Sequence, residues 1–455
     1  MFQNSSVSLV PGALNASGLG ALRVGLIGTG VVGSGTCQVL TRNAELIAQR
    51  AGRPIRLVMA AARNLSKAAQ VVGPEVALVA DPWMLVRHPE VDVVVEVMGG
   101  VGLAKDLVLE AIAHGKHVVT ANKALLAEHG RDIFAAAEAR GVVVAYEAAV
   151  AVSIPIIKAL REGLAANRIH EVVGIVNGTS NFILSKMEED GLDFAAALRL
   201  ATELGYAEAD PSFDVEGIDA AHKTALLAAN AFGADVPFAQ VHAQGITAVD
   251  PWDMACAHAL GYRIKLLGLA RQGMDAIEVR VHPALVPESH WLAQVKGSMN
   301  GIWVNADAAG PTFHYGAGAG SQTTASAVVA DLIDIARSGG GAQRAAWGVP
   351  HRAVQPQAIR RWPILPIGQV ASRHYLRFEL AGQTEWAARL PEWLQNHGIE
   401  VLQSVQLPHP DAPHHHALLV LTATLTGDAF AQRLQVLAQM PGGPSPAACW
   451  RVEMA

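Results

Sequence analysis

Apolar and polar positions alternate in blocks along the first third of the chain. Residues 22–27 are nearly all apolar and run into glycines, the pattern of a strand covered on both faces. A helical period follows over 31–50, then a strand over 55–62 and a helix over 66–72. A strand over 91–97, a helix over 104–114, a strand over 117–120, a helix over 124–140 and a strand over 142–146 continue the series. Strands alternating with helices predict an α/β fold, a Rossmann-type doubly wound parallel sheet over 21–150.

Beyond residue 150 the alternation loosens. Helical periods fall at 154–165, 181–190, 193–204 and 218–232, and strand patterns at 171–176, 276–281 and 301–307. An α+β substrate-binding and dimerisation domain over 151–320 is expected, with 321–337 returning to complete the first domain. Gly339, Gly340, Gly341 and several prolines mark 338–370 as a linker. The last 85 residues, 371–455, read strand, helix, strand, strand, helix, strand, a βαββαβ module. Trp386, Leu390, Trp393 and Leu394 share one face of its first helix.

Composition narrows the class. Of 455 residues, 51% are hydrophobic and 16% charged, which excludes general disorder. With 34 Lys+Arg against 40 Asp+Glu the net charge is −6, so no large basic surface invites nucleic acid. Cys37, Cys256 and Cys449 are far apart, and a cytoplasmic, reducing setting fits them. Mean hydropathy is +0.26. The most apolar run, 148–157, is interrupted by Ser153 and Pro155 and falls short of the roughly 20 residues a span needs. Residues 1–20 hold no Lys or Arg and read as a flexible leader rather than a signal peptide.

Against that background several motifs carry chemistry. Gly28, Thr29, Gly30, Val31, Val32 and Gly33 form a GxGxxG between a strand and a helix. Such glycines permit a tight turn, close approach of a pyrophosphate and close helix packing, with phosphate at the helix N-terminus. An incidental glycine turn is the alternative. No acid follows the second strand to hold a ribose hydroxyl. Arg63 stands there instead and can face a 2′-phosphate, with Lys67 as a second partner, or simply be solvated. Thr120 and Lys123 sit at the carboxyl end of a strand, where α/β sheets bind ligands, although a loop lysine is commonly just exposed. Glu208, Asp214, Asp219 and Lys223 cluster in sequence, the last two sharing a helix face. Carboxylates suit an ammonium ligand and a lysine suits proton transfer. On pattern alone a surface i,i+4 ion pair outweighs that reading. His222 reads as structural, the glycines at 316–320 as a flexible loop, and His414, His415 and His416 as a solvated hairpin loop rather than a metal site.

Taken together, GLIGTGVVG, the TANK loop, YEAAV…IPIIKALREGL, VGIVNGTSNFIL, GYAEADPSFDVEGIDAAHK and GAGSQTTASAVVADLIDIAR resemble the homoserine dehydrogenase family from residue 22 to about 337. The final module resembles an ACT regulatory domain more loosely. The resemblance implies reversible reduction of L-aspartate 4-semialdehyde to L-homoserine with NAD(P)H, on the route to threonine, methionine and isoleucine. It implies Lys223 as proton donor, Lys123 beside the nicotinamide, and Glu208 and Asp219, with Asp214 near them, on the substrate ammonium. NADP is the expected cofactor, with NAD as the alternative, and a homo-oligomer, dimer or tetramer, is expected.

A monovalent cation such as sodium is further implied at Glu147, Val150, Val152 and Ile154. There the family's glycines are replaced by Ala151, Val152 and Ser153, so glycine-only backbone angles are expected to be lost. The module's first loop, 381–386, departs from the family's turn, so strong threonine inhibition is not expected. The competing function classes are a non-catalytic amino-acid-sensing ACT regulator and a related amino-acid aldehyde reductase.

Overall fold

The computed structural model describes residues 20–338, 353–379, 384–409, 412–440 and 443–454. Residues 1–19 of the expected leader, the glycines at 339–341 and residues 381–383 of the module's first loop lie outside the described residues. The chain divides into two compact units, one of residues 1–152 with 320–351 and one of 153–319 with 352–455.

In the first unit the apolar runs become strands β1 (Leu22–Ile27), β2 (Ile55–Ala61), β3 (Ala77–Val79), β4 (Val93–Glu96), β5 (His117–Thr120) and β6 (Val144–Ala145). They form a parallel sheet in the order β3-β2-β1-β4-β5-β6, with the order reversing beside β1. Val93, Val94 and Val95 are fully buried, as strands covered on both faces require. The expected helix over 31–50 is two helices, Val31–Arg42 and Ala44–Ala51, broken at Asn43. Asn favours turns because its side chain competes for backbone groups. β3 and the helix Pro82–Arg87 were not foreseen, because three and six residues give too short a pattern. The helix Ser321–Ser338 returns to this unit, packing Ala325, Val328 and Leu332 into its core.

The second unit holds β7 (Ile169–Ile175), β8 (His242–Ala243), β9 (Tyr262–Gln272), β10 (Ile277–Pro287), β11 (Met299–Ala306) and β12 (Gly310–Ala317). It also holds β13 (Ala371–Glu379), β14 (Val401–His409), β15 (Ala412–Thr422), β16 (Leu425–Thr426) and β17 (Ala448–Val452). One sheet runs β12-β11-β7-β9-β10-β17-β13-β15-β14. β9 and the helix Pro251–Ala259 escaped the sequence reading, since Arg263, Lys265 and Arg271 interrupt the strand pattern. The region 154–165 forms a short α-helix and a π-helical turn instead of one regular helix. Residues 315–317 close β12 antiparallel to β11, so the glycine stretch is half strand and not wholly loop. The backbone at 412–422 continues β15 through the histidines expected in a loop.

The βαββαβ module is present, with strand order β17-β13-β15-β14. Leu390 and Leu394 are fully buried against its sheet, with Trp386 and Trp393 packed beside them. Its sheet is not separate. β17 pairs in parallel with β10 through Ala284↔Arg451 and Leu285↔Val452, so that edge of the module's sheet is closed within the chain. The described part of the expected linker is also tied down. Arg360 N donates to Gly233 O at 3.0 Å, and Ile277 N to Pro363 O at 2.9 Å.

Candidate active site

The first unit builds a phosphate cradle from its β1 turn. Gly28 has φ +101°, and a Cβ there would lie 2.9 Å from the Val97 carbonyl oxygen. A Cβ on Gly33 would fall 2.0 Å from the Gly28 carbonyl oxygen. Gly30 faces open space, with nothing within 4 Å of its added Cβ. It is the N-cap of the helix Val31–Arg42, which has no side-chain cap and no acid in its first turn. Its N-terminal amides and dipole therefore face open space suited to an anion.

That space is part of a cavity of about 620 Å³, lined among others by Gly28, Thr29, Gly30, Arg63, Asn64 and Lys67. Asn64 Oδ1 accepts from Lys67 N at 2.9 Å, capping the next helix and holding the Arg63 turn at the cavity wall. Arg63 and Lys67 are exposed there. The residues fit a dinucleotide. A second cavity, of about 560 Å³, opens at the amino ends of the strands. Ligands of open α/β sheets bind outside the carboxyl ends, so it is not the cofactor site.

Lys123 begins the helix Lys123–Arg140, capped by Asn122, whose Oδ1 accepts from Leu125 N at 3.1 Å. Asn122 Nδ2 donates to Gly100 O at 2.7 Å and so ties the TANK loop to the cavity's glycines. Thr120 is fully buried and its hydroxyl donates to Glu96 Oε2 at 2.7 Å. Its side chain thus serves the loop rather than facing outward. Glu96, missed in the sequence, sits at the end of β4. Burial pushes its carboxyl above the usual range, against the lowering bonds from Thr120 and the Met98 amide.

In the second unit the sequence cluster folds into a buried polar network. Lys223 Nζ donates to Asp219 Oδ2 and to the Val176 carbonyl oxygen, both at 2.8 Å. Asp219 and Lys223 are only 3% and 8% exposed, which removes the surface-pair reading. Asn177 Nδ2 bridges Asp214 Oδ1 at 2.7 Å and Asp219 Oδ2 at 2.8 Å. Its Oδ1 caps the helix Gly178–Asp190 through Ser180 N at 2.7 Å. Asn177 is thus an organising residue that its position at a strand end, before Gly-Thr-Ser, could have signalled. Burial raises the Asp214 carboxyl above its ordinary range, with Asn177 pulling it down. Glu208 is exposed and outside this network. Thr179 Oγ1 donates to Tyr206 O at 2.7 Å, tying the two segments that flank it. His222 is buried between Phe213 and Phe238, with ring centroids at 5.4 and 4.1 Å, as a structural residue would be.

At the end of the first unit Glu147 is 2% exposed and its backbone N–H donates to Asp331 Oδ2 at 2.9 Å. Val150 is buried, and Val152 holds φ +54°. The expectation that a glycine-type angle is lost here is therefore corrected. The fold retains a left-handed residue although its side chain is β-branched, at a cost of about 1–3 kcal/mol. Ile154 is buried and belongs to the second unit.

Two family profiles match the chain. The NAD-binding domain of homoserine dehydrogenase covers residues 28–147, and homoserine dehydrogenase proper covers 155–333. A homoserine dehydrogenase of Neisseria gonorrhoeae is 50% identical over 387 residues, covering 85% of this chain and 88% of that protein. One from Pseudomonas aeruginosa is 46% identical over 432 residues, covering 95% of this chain and 99% of that protein. The crystal structure of a homoserine dehydrogenase from Thiobacillus denitrificans superposes with a TM-score of 0.88 at 47% identity, covering 95% of this chain and 98% of that one.

Proposed function

Because the chain belongs to the homoserine dehydrogenase family, we propose that the Asn177–Asp214–Asp219–Lys223 network is the substrate-reducing centre of an NAD(P)-dependent oxidoreductase. The reaction is reversible reduction of L-aspartate 4-semialdehyde to L-homoserine, and the nicotinamide supplies the hydride when bound. Hydride arriving at the carbonyl carbon builds negative charge on its oxygen. An ammonium held at that oxygen stabilises the charge and then donates the proton. Lys223 is that ammonium. Asp219 and the Val176 carbonyl fix its position, and Asn177 fixes Asp219. Exposed Glu208 and the carboxylate of Asp219 take the substrate ammonium. Lys123 assists from the cofactor side, held by the capped TANK loop.

The observation that carries this reading is the buried Lys223–Asp219 pair at 2.8 Å, joined through Asn177 to Asp214. Lys223→Ala should lower kcat by about 10²- to 10⁴-fold while cofactor binding, read by fluorescence, stays near normal. Near-normal turnover in a folded variant would reduce Lys223 to a structural role.

The finer cofactor choice is NADP, supported by Arg63 and Lys67 on the cavity wall and by the missing acid after β2. A monovalent cation fits the buried Glu147 carboxylate with the carbonyls of Val150 and Val152. The left-handed Val152 supports that fit, because the backbone there keeps an angle usually left to glycine. A cytoplasmic setting agrees with three free cysteines. We further propose a homo-oligomer, for which β14, at the end of the long sheet, supplies an edge.

A further inference from the structure

The cavity at the amino ends of the first unit's strands is lined by donors. Four cationic side chains reach its wall, Arg53, Arg87, Lys116 and Arg140, against one acid, Asp92. Asp92 is already taken. Arg23 donates to its Oδ1 at 2.7 Å and, from backbone N and Nε, to its Oδ2 at 2.9 and 3.1 Å. Arg87 is held by Glu110 at 2.7 Å. The other three have no carboxylate within ion-pair distance among the described residues. Lys116 Nζ meets only the carbonyl oxygens of His88 and Val91, at 2.6 and 2.7 Å. Arg140 donates to the Ala113 carbonyl oxygen. Arg53 has Nε and Nη2 buried without a hydrogen-bond partner. His117 adds a further donor, because its Nδ1 accepts from Val143 N at 3.0 Å and the neutral ring then carries its proton on Nε2. Burial keeps that ring neutral by lowering its pKa.

Such a concentration of cations without a paired carboxylate is not a by-product of composition, since the chain carries a net charge of −6. The donors come from separate elements: the turn before β2, the start of β5 and the end of the helix Lys123–Arg140. A planar carboxylate matches one guanidinium fork, whereas a tetrahedral phosphoryl group accepts from several directions at once. A volume of about 560 Å³ exceeds a bare phosphate. We propose that this cavity, on the face opposite the cofactor cradle, binds a small phosphorylated compound through Arg53, Lys116, Arg140 and His117.

The probe is inorganic pyrophosphate, titrated calorimetrically into the full chain saturated with NADP, so that the cofactor's own phosphate sites are filled. One site with submillimolar Kd is expected. Arg140→Gln, at an exposed position that does not threaten folding, should weaken it at least tenfold, and Arg53→Gln likewise. Arg63→Ala, in the cofactor cavity, should leave it unchanged. Absence of binding with NADP bound, binding by Arg53→Gln and Arg140→Gln as tight as by the unsubstituted chain, or loss only in Arg63→Ala would each overturn the assignment. Equal affinity for succinate would overturn its phosphoryl character.

Discussion

In the proposed site the surroundings of single residues differ enough to separate their roles by substitution. Glu208 is exposed while Asp219 is buried and bonded twice, so their substitutions should differ. Glu208→Gln should raise KM for homoserine severalfold, with little change in NADP affinity or in stability. A selective loss of NADP affinity would place Glu208 at the wrong end of the site. Arg63→Ala should weaken NADP more than NAD, by about tenfold for one lost charge-assisted contact. Steady-state assays with both cofactors test this, and equal losses would deny Arg63 the 2′-phosphate. Lys67 lies on the same wall and limits the size of the effect. The residue types of this site were legible in the sequence, but their burial was not. Asp219 and Lys223 at i,i+4 look the same on a solvated helix as on a buried one. Only the packing of the helix Ile218–Phe232, with nearly every residue buried, separates the two.

At the level of elements, the strand β9 carries a lysine where an apolar residue would be expected. Lys265 is fully buried, its Nζ donating to Val295 O at 2.9 Å, and burial lowers its pKa to about 8. Burial thus disfavours the charged form. The penalty is complete below pH 8 and is relieved as pH rises from 8 toward the ordinary value of 10.5, so stability is lost over that same window as pH falls. Lys265→Met should therefore be more stable than wild type at pH 7, by about 1–3 kcal/mol, with the advantage shrinking between pH 8 and 10.5. Denaturant titrations across that range would show it. A pH-independent difference would place the effect in packing instead. The same lysine explains why β9 was not read from sequence, because a charge in mid-strand breaks the apolar run that marks a buried strand.

For the molecule as a whole, the seam between β10 and β17 matters most. Arg280 and Glu453 are 1% and 5% exposed and meet at 2.7 Å across it. Breaking a buried pair leaves an unpaired charge, so Glu453→Gln should cost about 3 kcal/mol, the lower end because Glu278 stays near Arg280. Removing everything after Arg361 should cost more, since it strips β17 from β10 as well. Thermal unfolding of both variants would test this, and a truncated chain of unchanged stability would show the module to be independent. The first unit was readable without its structure because parallel strands under helices leave a local record: apolar runs, glycine turns and helical periods in fixed order. The clustering of Asp214, Asp219 and Lys223 was readable because they lie close together in the chain, whereas Glu208 from the same segment stays exposed and outside their network. Local pattern also carried the module's elements, down to Leu390 and Leu394 in its core. Tertiary structure alone decided that the module joins the β10 edge, that Asn177 bridges two carboxylates 37 and 42 residues away, and that Val152 keeps a left-handed angle. Each of these rests on pairing between segments distant in the chain, and a one-dimensional pattern of residue types does not record which distant partner a strand edge, an amide or a strained backbone meets.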